Sequence, residues 1–125
     1  MNLFLTEDGV LKMGYYGLTT QAECYSIKKK DCIGVRSFAP EVFRGKYERK
    51  SDVWSLGIAL MEMMGVRPYY WCDDDRPPRT IALFESPFKA NDIHSSELVD
   101  LLKKCFEKIV SKRWNVIKLM NVSVL

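Results

Sequence analysis

Between positions 53 and 64 almost every residue is apolar: Val53, Trp54, Leu56, Ile58, Ala59, Leu60, Met61, Met63 and Met64, with Glu62 the only charge. At helical spacing these side chains point in nearly every direction around the axis, and a helix apolar all round is a buried one. Ser51 is a suitable N-cap, because its hydroxyl can accept a bond from an orphan backbone N–H. Asp52 in the first turn suits the positive end of the helix dipole. Gly65 followed by Pro68 is a stop. The pattern predicts a buried core helix over 51–64, too short for the ~20 apolar residues that span a bilayer.

Weaker patterns flank it. Leu98, Leu101, Leu102, Cys105 and Phe106 recur at helical spacing while Glu97, Asp100, Lys103, Lys104 and Lys108 fall on the other side, so an amphipathic helix is expected after a cap at Ser95 or Ser96. A short helix is expected over 80–84, ended by Pro87, and a last one over 114–120. At the amino end, two apolar runs flank Glu7-Asp8-Gly9, and the Asp-Gly pair is a strong hairpin signal over 3–13. The fold class expected is mainly α with a small N-terminal β-hairpin.

Composition changes this picture little. The chain has 125 residues, 47% of them hydrophobic and 28% charged, which is the balance of a soluble globular protein. A net charge of +3 is too small to argue for nucleic acid or a membrane surface as partner. The four cysteines, Cys24, Cys32, Cys72 and Cys105, lack the paired spacing of a zinc site, and the single histidine, His94, has no acid or nucleophile at meaningful spacing. Reduced thiols in a soluble, cytoplasmic protein are expected. Asp73-Asp74-Asp75 lacks the alternating ligands and closing glutamate of a calcium loop. Tyr69-Tyr70-Trp71 reads as core cover.

The triplet Ala39-Pro40-Glu41, followed ten residues on by Ser51-Asp52-Val53-Trp54-Ser55-Leu56-Gly57 at the mouth of the core helix, resembles the C-terminal lobe of a eukaryotic protein kinase. The segment Cys105 to Arg113 adds to the likeness. The resemblance makes 14–41 the activation segment, 51–64 the hydrophobic helix at the centre of the lobe, and 80–120 its C-terminal helices, with 122–125 a frayed tail. It implies that Arg113 pairs with Glu41, that Asp52 holds the backbone of the catalytic loop, and that Trp54 anchors the core. Asn2 takes the place of the magnesium-binding asparagine. Residues 1–121 are thus expected to be a partial kinase domain of the α+β class without the N-terminal lobe, since a complete domain needs roughly twice the length. The Arg36-Ser37-Phe38 run most resembles kinases of the sterile class, upstream in mitogen-activated cascades.

Several positions depart from the family. Where it has aspartate-phenylalanine-glycine, this chain has Tyr15-Tyr16-Gly17. A hard magnesium ion wants anionic oxygen, and a phenol with a pKa of ~10 is a poor substitute. Val35 stands where serine/threonine kinases carry a threonine. The glycine-rich loop, the phosphate-binding lysine and the catalytic aspartate have no counterpart in these residues.

The resemblance therefore implies a parent activity, transfer of the ATP γ-phosphate to protein Ser/Thr with ATP and Mg as cofactors, while this chain is expected not to bind them or to transfer phosphate by itself. Two alternatives stay open: a pseudokinase module that binds a protein partner, and a truncated product without function. Thr19, Thr20, Tyr25 and Ser26, with Lys28-Lys29-Lys30, offer an activation segment that a phosphate could order, or a solvated polar loop.

Overall fold

Residues 3–14, 37–68 and 86–122 are described by the structure, a computed structural model. The chain divides into two units, residues 1–34 and 35–125.

In the first unit, strand β1 (Leu3–Leu5) pairs antiparallel with β2 (Leu11–Met13), in the register Leu3 with Met13, Phe4 with Lys12 and Leu5 with Leu11. The connection is held by Thr6, whose hydroxyl accepts from the Val10 N–H at 3.0 Å and whose carbonyl accepts from the Gly9 N–H at 2.9 Å. Gly9 sits at φ 78°, a left-handed conformation that favours glycine. The register places Leu3, Leu5, Leu11 and Met13 on one face, and the last three are exposed.

The second unit is built on helix α1 (Ser51–Met63) and helix α2 (Ser96–Cys105), which pack together, with a short helix α3 (Val116–Met120) near the end. Helix α1 buries Ser51, Val53, Trp54, Gly57, Ile58 and Met61, and α2 buries Val99, Leu102 and Cys105. Phe106, just past α2, sets its ring edge-on to Trp54 at 5.0 Å and tilted against Phe88 at 5.9 Å. Gly57 makes this possible: a Cβ there would lie 2.8 Å from the Phe106 ring and 2.9 Å from the Cys105 Cβ. The glycine is a seat for the aromatic ring.

Three features of α1 differ from expectation. Ser51 is not its N-cap but its first residue; the cap position is Lys50, which makes no side-chain cap bond. The Ser51 hydroxyl is used elsewhere, accepting from the Glu48 N–H at 3.1 Å and donating to Glu41 at 2.8 Å, and a buried hydroxyl with a carboxylate partner has more to gain there than from capping. Nor is α1 buried all round: Leu56 is 41% exposed and Met63 64%, so an apolar stripe follows Asp52 along the side away from the core. The helix stops at Met63 rather than Met64, where the Val66 N–H reaches the Met61 carbonyl at 3.0 Å and the Gly65 N–H the Glu62 carbonyl at 3.0 Å, with Gly65 at φ 72°. That is a Schellman stop, which uses the left-handed freedom of glycine.

Ser95 caps α2, accepting from the Leu98 N–H at 3.2 Å. Val99 takes a core position that the periodicity reading omitted. Helix α3 is shorter than the expected 114–120, because Asn115 accepts from the Lys118 N–H at 2.9 Å and so starts the helix after Trp114. The helix expected over 80–84, the acidic run at 73–75 and residues 15–36 of the activation segment lie outside the described residues. Among the described residues no helix is long and apolar enough to cross a membrane.

Candidate functional site

Ala39-Pro40-Glu41 enters the core directly. Ala39 is fully buried, Val42 begins a 3-10 turn (Val42–Arg44), and the Phe38 and Phe43 rings meet at 6.1 Å. The Glu41 carbonyl accepts the N–H groups of Arg44 at 3.0 Å and Lys46 at 3.1 Å. Its carboxylate points inward, and a buried carboxylate needs partners for its lone pairs.

Arg113 supplies them. Its Nη1 donates to Glu41 Oε1 at 2.6 Å and its Nη2 to Oε2 at 3.0 Å, a fork-to-fork pair. The guanidinium also donates from Nη1 to the Lys50 carbonyl at 3.0 Å and from Nε to the Glu107 carbonyl at 2.7 Å, and it lies over the Trp54 ring at 5.3 Å. Arg113 is 1% exposed. Burial pushes the Glu41 carboxyl up, but the bonds from Arg113, its own backbone and Ser51, with the Arg113 charge, outweigh this and hold it below its ordinary value. The pair is therefore ionised at neutral pH, and its fixed geometry serves anchoring rather than proton transfer.

A second cation completes the junction. Lys50 Nζ donates to the Val110 carbonyl at 3.0 Å and the Ser111 carbonyl at 2.9 Å. Lys50 and Arg113 thus hold each other's backbone: each side chain binds the strand of chain carrying the other. Glu107 braces the same loop by accepting the Ile109 N–H at 2.9 Å. The Ser55 hydroxyl donates to the Ser37 carbonyl at 2.9 Å and ties the approach to Ala39 onto α1.

Ala39, Pro40, Glu41, Trp54, Gly57 and Arg113 therefore all lie in the core of the second unit, four of them (Glu41, Trp54, Gly57 and Arg113) through the contacts just given. Asp52 is apart: it is exposed, and its Oδ1 accepts the Tyr47 hydroxyl. Asn2 and the triplet Tyr15, Tyr16, Gly17 lie outside the described residues. Among the described residues no three His, Cys, Asp or Glu side chains are grouped as metal ligands. His94 is exposed. Cys105 is buried, and burial pushes its thiol up to about 11 despite the Arg113 charge, so it packs as an apolar group. Sequence reading missed the roles of Lys50, the Ser51 hydroxyl and Phe106. Only Phe106 had a signal, its place on the apolar stripe of α2.

A family model described as the protein kinase domain matches residues 1–125. The serine/threonine-protein kinase cst-1 of Caenorhabditis elegans is 33% identical over 124 residues, covering 94% of this chain and 24% of that protein. The serine/threonine-protein kinase pakB of Dictyostelium discoideum is 33% identical over 126 residues, covering 96% of this chain and 15% of that protein. Mitogen-activated protein kinase kinase kinase 17 of Arabidopsis thaliana is 26% identical over 127 residues, covering 96% of this chain and 34% of that protein. The chain spans about a third or less of the length of these curated relatives.

Proposed function

The chain belongs to the protein kinase domain family, and from that premise we propose that it is the C-terminal-lobe part of a serine/threonine kinase domain of the sterile or mitogen-activated-cascade type, supplying a rigid anchor for the activation segment. The observation that carries this reading is the buried Glu41–Arg113 pair with Ser51, at 2.6, 3.0 and 2.8 Å, which fastens the end of that segment to α1 and to the 107–113 loop. Such an anchor fixes the backbone leading out of 37–41, the stretch that in the family borders the protein substrate.

Chemistry is a separate matter. The family uses ATP with Mg, and the residues that the resemblance assigns to the metal are Asn2 and Tyr15, a carboxamide and a phenol. Neither offers anionic oxygen at neutral pH, so this donor set does not fit the ion. No residue of this chain takes the part of the phosphate-binding lysine or the catalytic aspartate, and phosphoryl transfer is mostly positioning and charge stabilisation by such groups. These 125 residues accordingly do not transfer phosphate on their own. Tyr15 favours a second reading for any longer protein that contains them: a pseudokinase in which the lobe presents a surface to a protein partner.

The test is a phosphotransfer assay on the purified chain, with labelled ATP, Mg and a general protein substrate, run beside a circular dichroism melt. A folded chain with no transfer above the heat-killed control is the expected result. Transfer by the folded chain would overturn the reading.

A further inference from the structure

Positive charge on this chain is segregated. Residues 44–50 and 103–113 together hold nine Lys or Arg against two Glu, a surplus of seven, while the remaining residues hold ten Lys or Arg against fourteen Asp or Glu. Two of the nine are paired, Arg113 with Glu41 and Lys103 with Asp100 at 3.5 Å. The others belong to two segments that the structure cross-links: Lys50 Nζ binds the Val110 and Ser111 carbonyls at 3.0 and 2.9 Å, and Arg113 binds the Lys50 carbonyl at 3.0 Å. Arg49 and Lys112, each next in sequence to a residue of that cross-link, are both exposed, as are Arg44, Lys46 and Lys104. Lys104, in the last turn of α2 just before that loop, holds its ammonium 5.6 Å from the centre of the Trp114 ring.

Apolar groups stand among these cations. Ile109 is 51% exposed in the middle of the second segment, and the Tyr47 ring is 59% exposed in the first. Glu48 and Glu107 interrupt the run and the exposed Asp52 meets the Tyr47 hydroxyl, carboxylates that would repel a continuous row of phosphates. Cations spaced around exposed apolar anchors instead complement a polypeptide that alternates carboxylates with apolar side chains.

We propose that the junction of residues 44–50 with 108–112 is a docking surface for an acidic polypeptide segment, read by Arg49, Lys112 and their neighbours and anchored at Ile109. Arg113 is buried while Arg49 and Lys112 are exposed, so an occupant would touch the two segments that the anchor holds together. This does not depend on phosphotransfer by the chain.

The probe is a fluorescein-labelled peptide of alternating Glu and Leu, titrated with the full chain at about 0.05 M salt, where the screening length exceeds ~10 Å. Binding should weaken roughly fivefold in each of Arg49→Glu and Lys112→Glu, the scale of one reversed contact of about 1 kcal/mol. Arg67→Glu, exposed beyond the far end of α1 and roughly 20 Å along that helix, makes the same change in net charge and should leave the affinity within about twofold. Ile109→Ser should also weaken binding, which an attraction of net charge alone would not predict. Failure of the peptide to bind, an equal loss in Arg67→Glu, or equally tight binding to duplex DNA or to anionic vesicles would each overturn the proposal.

Discussion

Replacing Arg113 by Met tests the anchor most directly. The guanidinium makes four hydrogen bonds, two to the Glu41 carboxylate and one each to the Lys50 and Glu107 carbonyls. Met fills part of the volume but leaves a carboxylate that is 7% exposed without its counter-ion. Breaking a buried pair from one side costs about 3–5 kcal/mol, against a total of ~5–15 kcal/mol for an ordinary domain. With a urea slope of ~1–3 kcal/mol per molar, the midpoint should fall by about 1 M or more, read by circular dichroism and by tryptophan emission. Glu41→Gln should cost less, and the double variant should be less destabilised than the sum of the two by ~1–3 kcal/mol. The pH dependence has a definite sense. Glu41 is held below its ordinary value in the folded chain, so its contribution is present above the unfolded pKa and is lost as pH falls through the folded one. In Arg113→Met only burial and weaker bonds remain, the shift reverses, and the two stability curves should converge on acidification. A loss under ~1 kcal/mol in Arg113→Met, or additivity within ~0.5 kcal/mol in the cycle, would refute the anchor.

Gly57→Ala should lower the melting temperature even though Ala is the better helix former by ~1 kcal/mol, because its methyl meets the Phe106 ring at 2.8 Å and overpacking costs ~1–3 kcal/mol; a raised melting temperature would contradict the seat. Ser95→Ala should cost about 1 kcal/mol in urea titrations through loss of the α2 cap at Leu98. Cys105 should react with a thiol reagent only as fast as the fold opens. Because its folded pKa is raised to about 11, stability should also fall as pH rises above ~9, the range in which the unfolded chain ionises first. Cys105→Ala should remove that alkaline loss, measured as a flat midpoint over the same range.

How much of this was legible depended on what each residue answers to. The core helix, the amphipathic α2 and the hairpin turn were readable, because periodicity and Asp-Gly chemistry are local signals. The exposed side of α1 was not: Leu56 and Met63 are as apolar as Ile58 and Met61, and only the packing of distant segments decides which pair is buried. Ser51 failed as a cap for a related reason. Its hydroxyl had two possible uses, and the one chosen required Glu41, ten residues away, to be folded against it. The clamp of Lys50 on the Val110 and Ser111 carbonyls spans some sixty positions of chain and leaves no trace in composition. Arg113 and Glu41 could be paired from the sequence only through the family resemblance, since nothing in their spacing brings them together.

The scaffold and the chemistry of this chain are under different physical constraints, which is why one does not vouch for the other. A change at Arg113 leaves a buried charge unpaired and is felt by the whole fold, so a sequence that folds this way must keep both partners or lose both. On the proposed reading, a tyrosine stands at position 15 where the family's aspartate would offer a metal anionic oxygen, whereas the contacts that hold the core helix run through Trp54, Gly57 and Phe106. On that reading the anchor and the metal position answer to different chemical demands. Burial keeps the anchor under constraint, and the surplus of positive charge lies on the two segments, 44–50 and 103–113, that it joins.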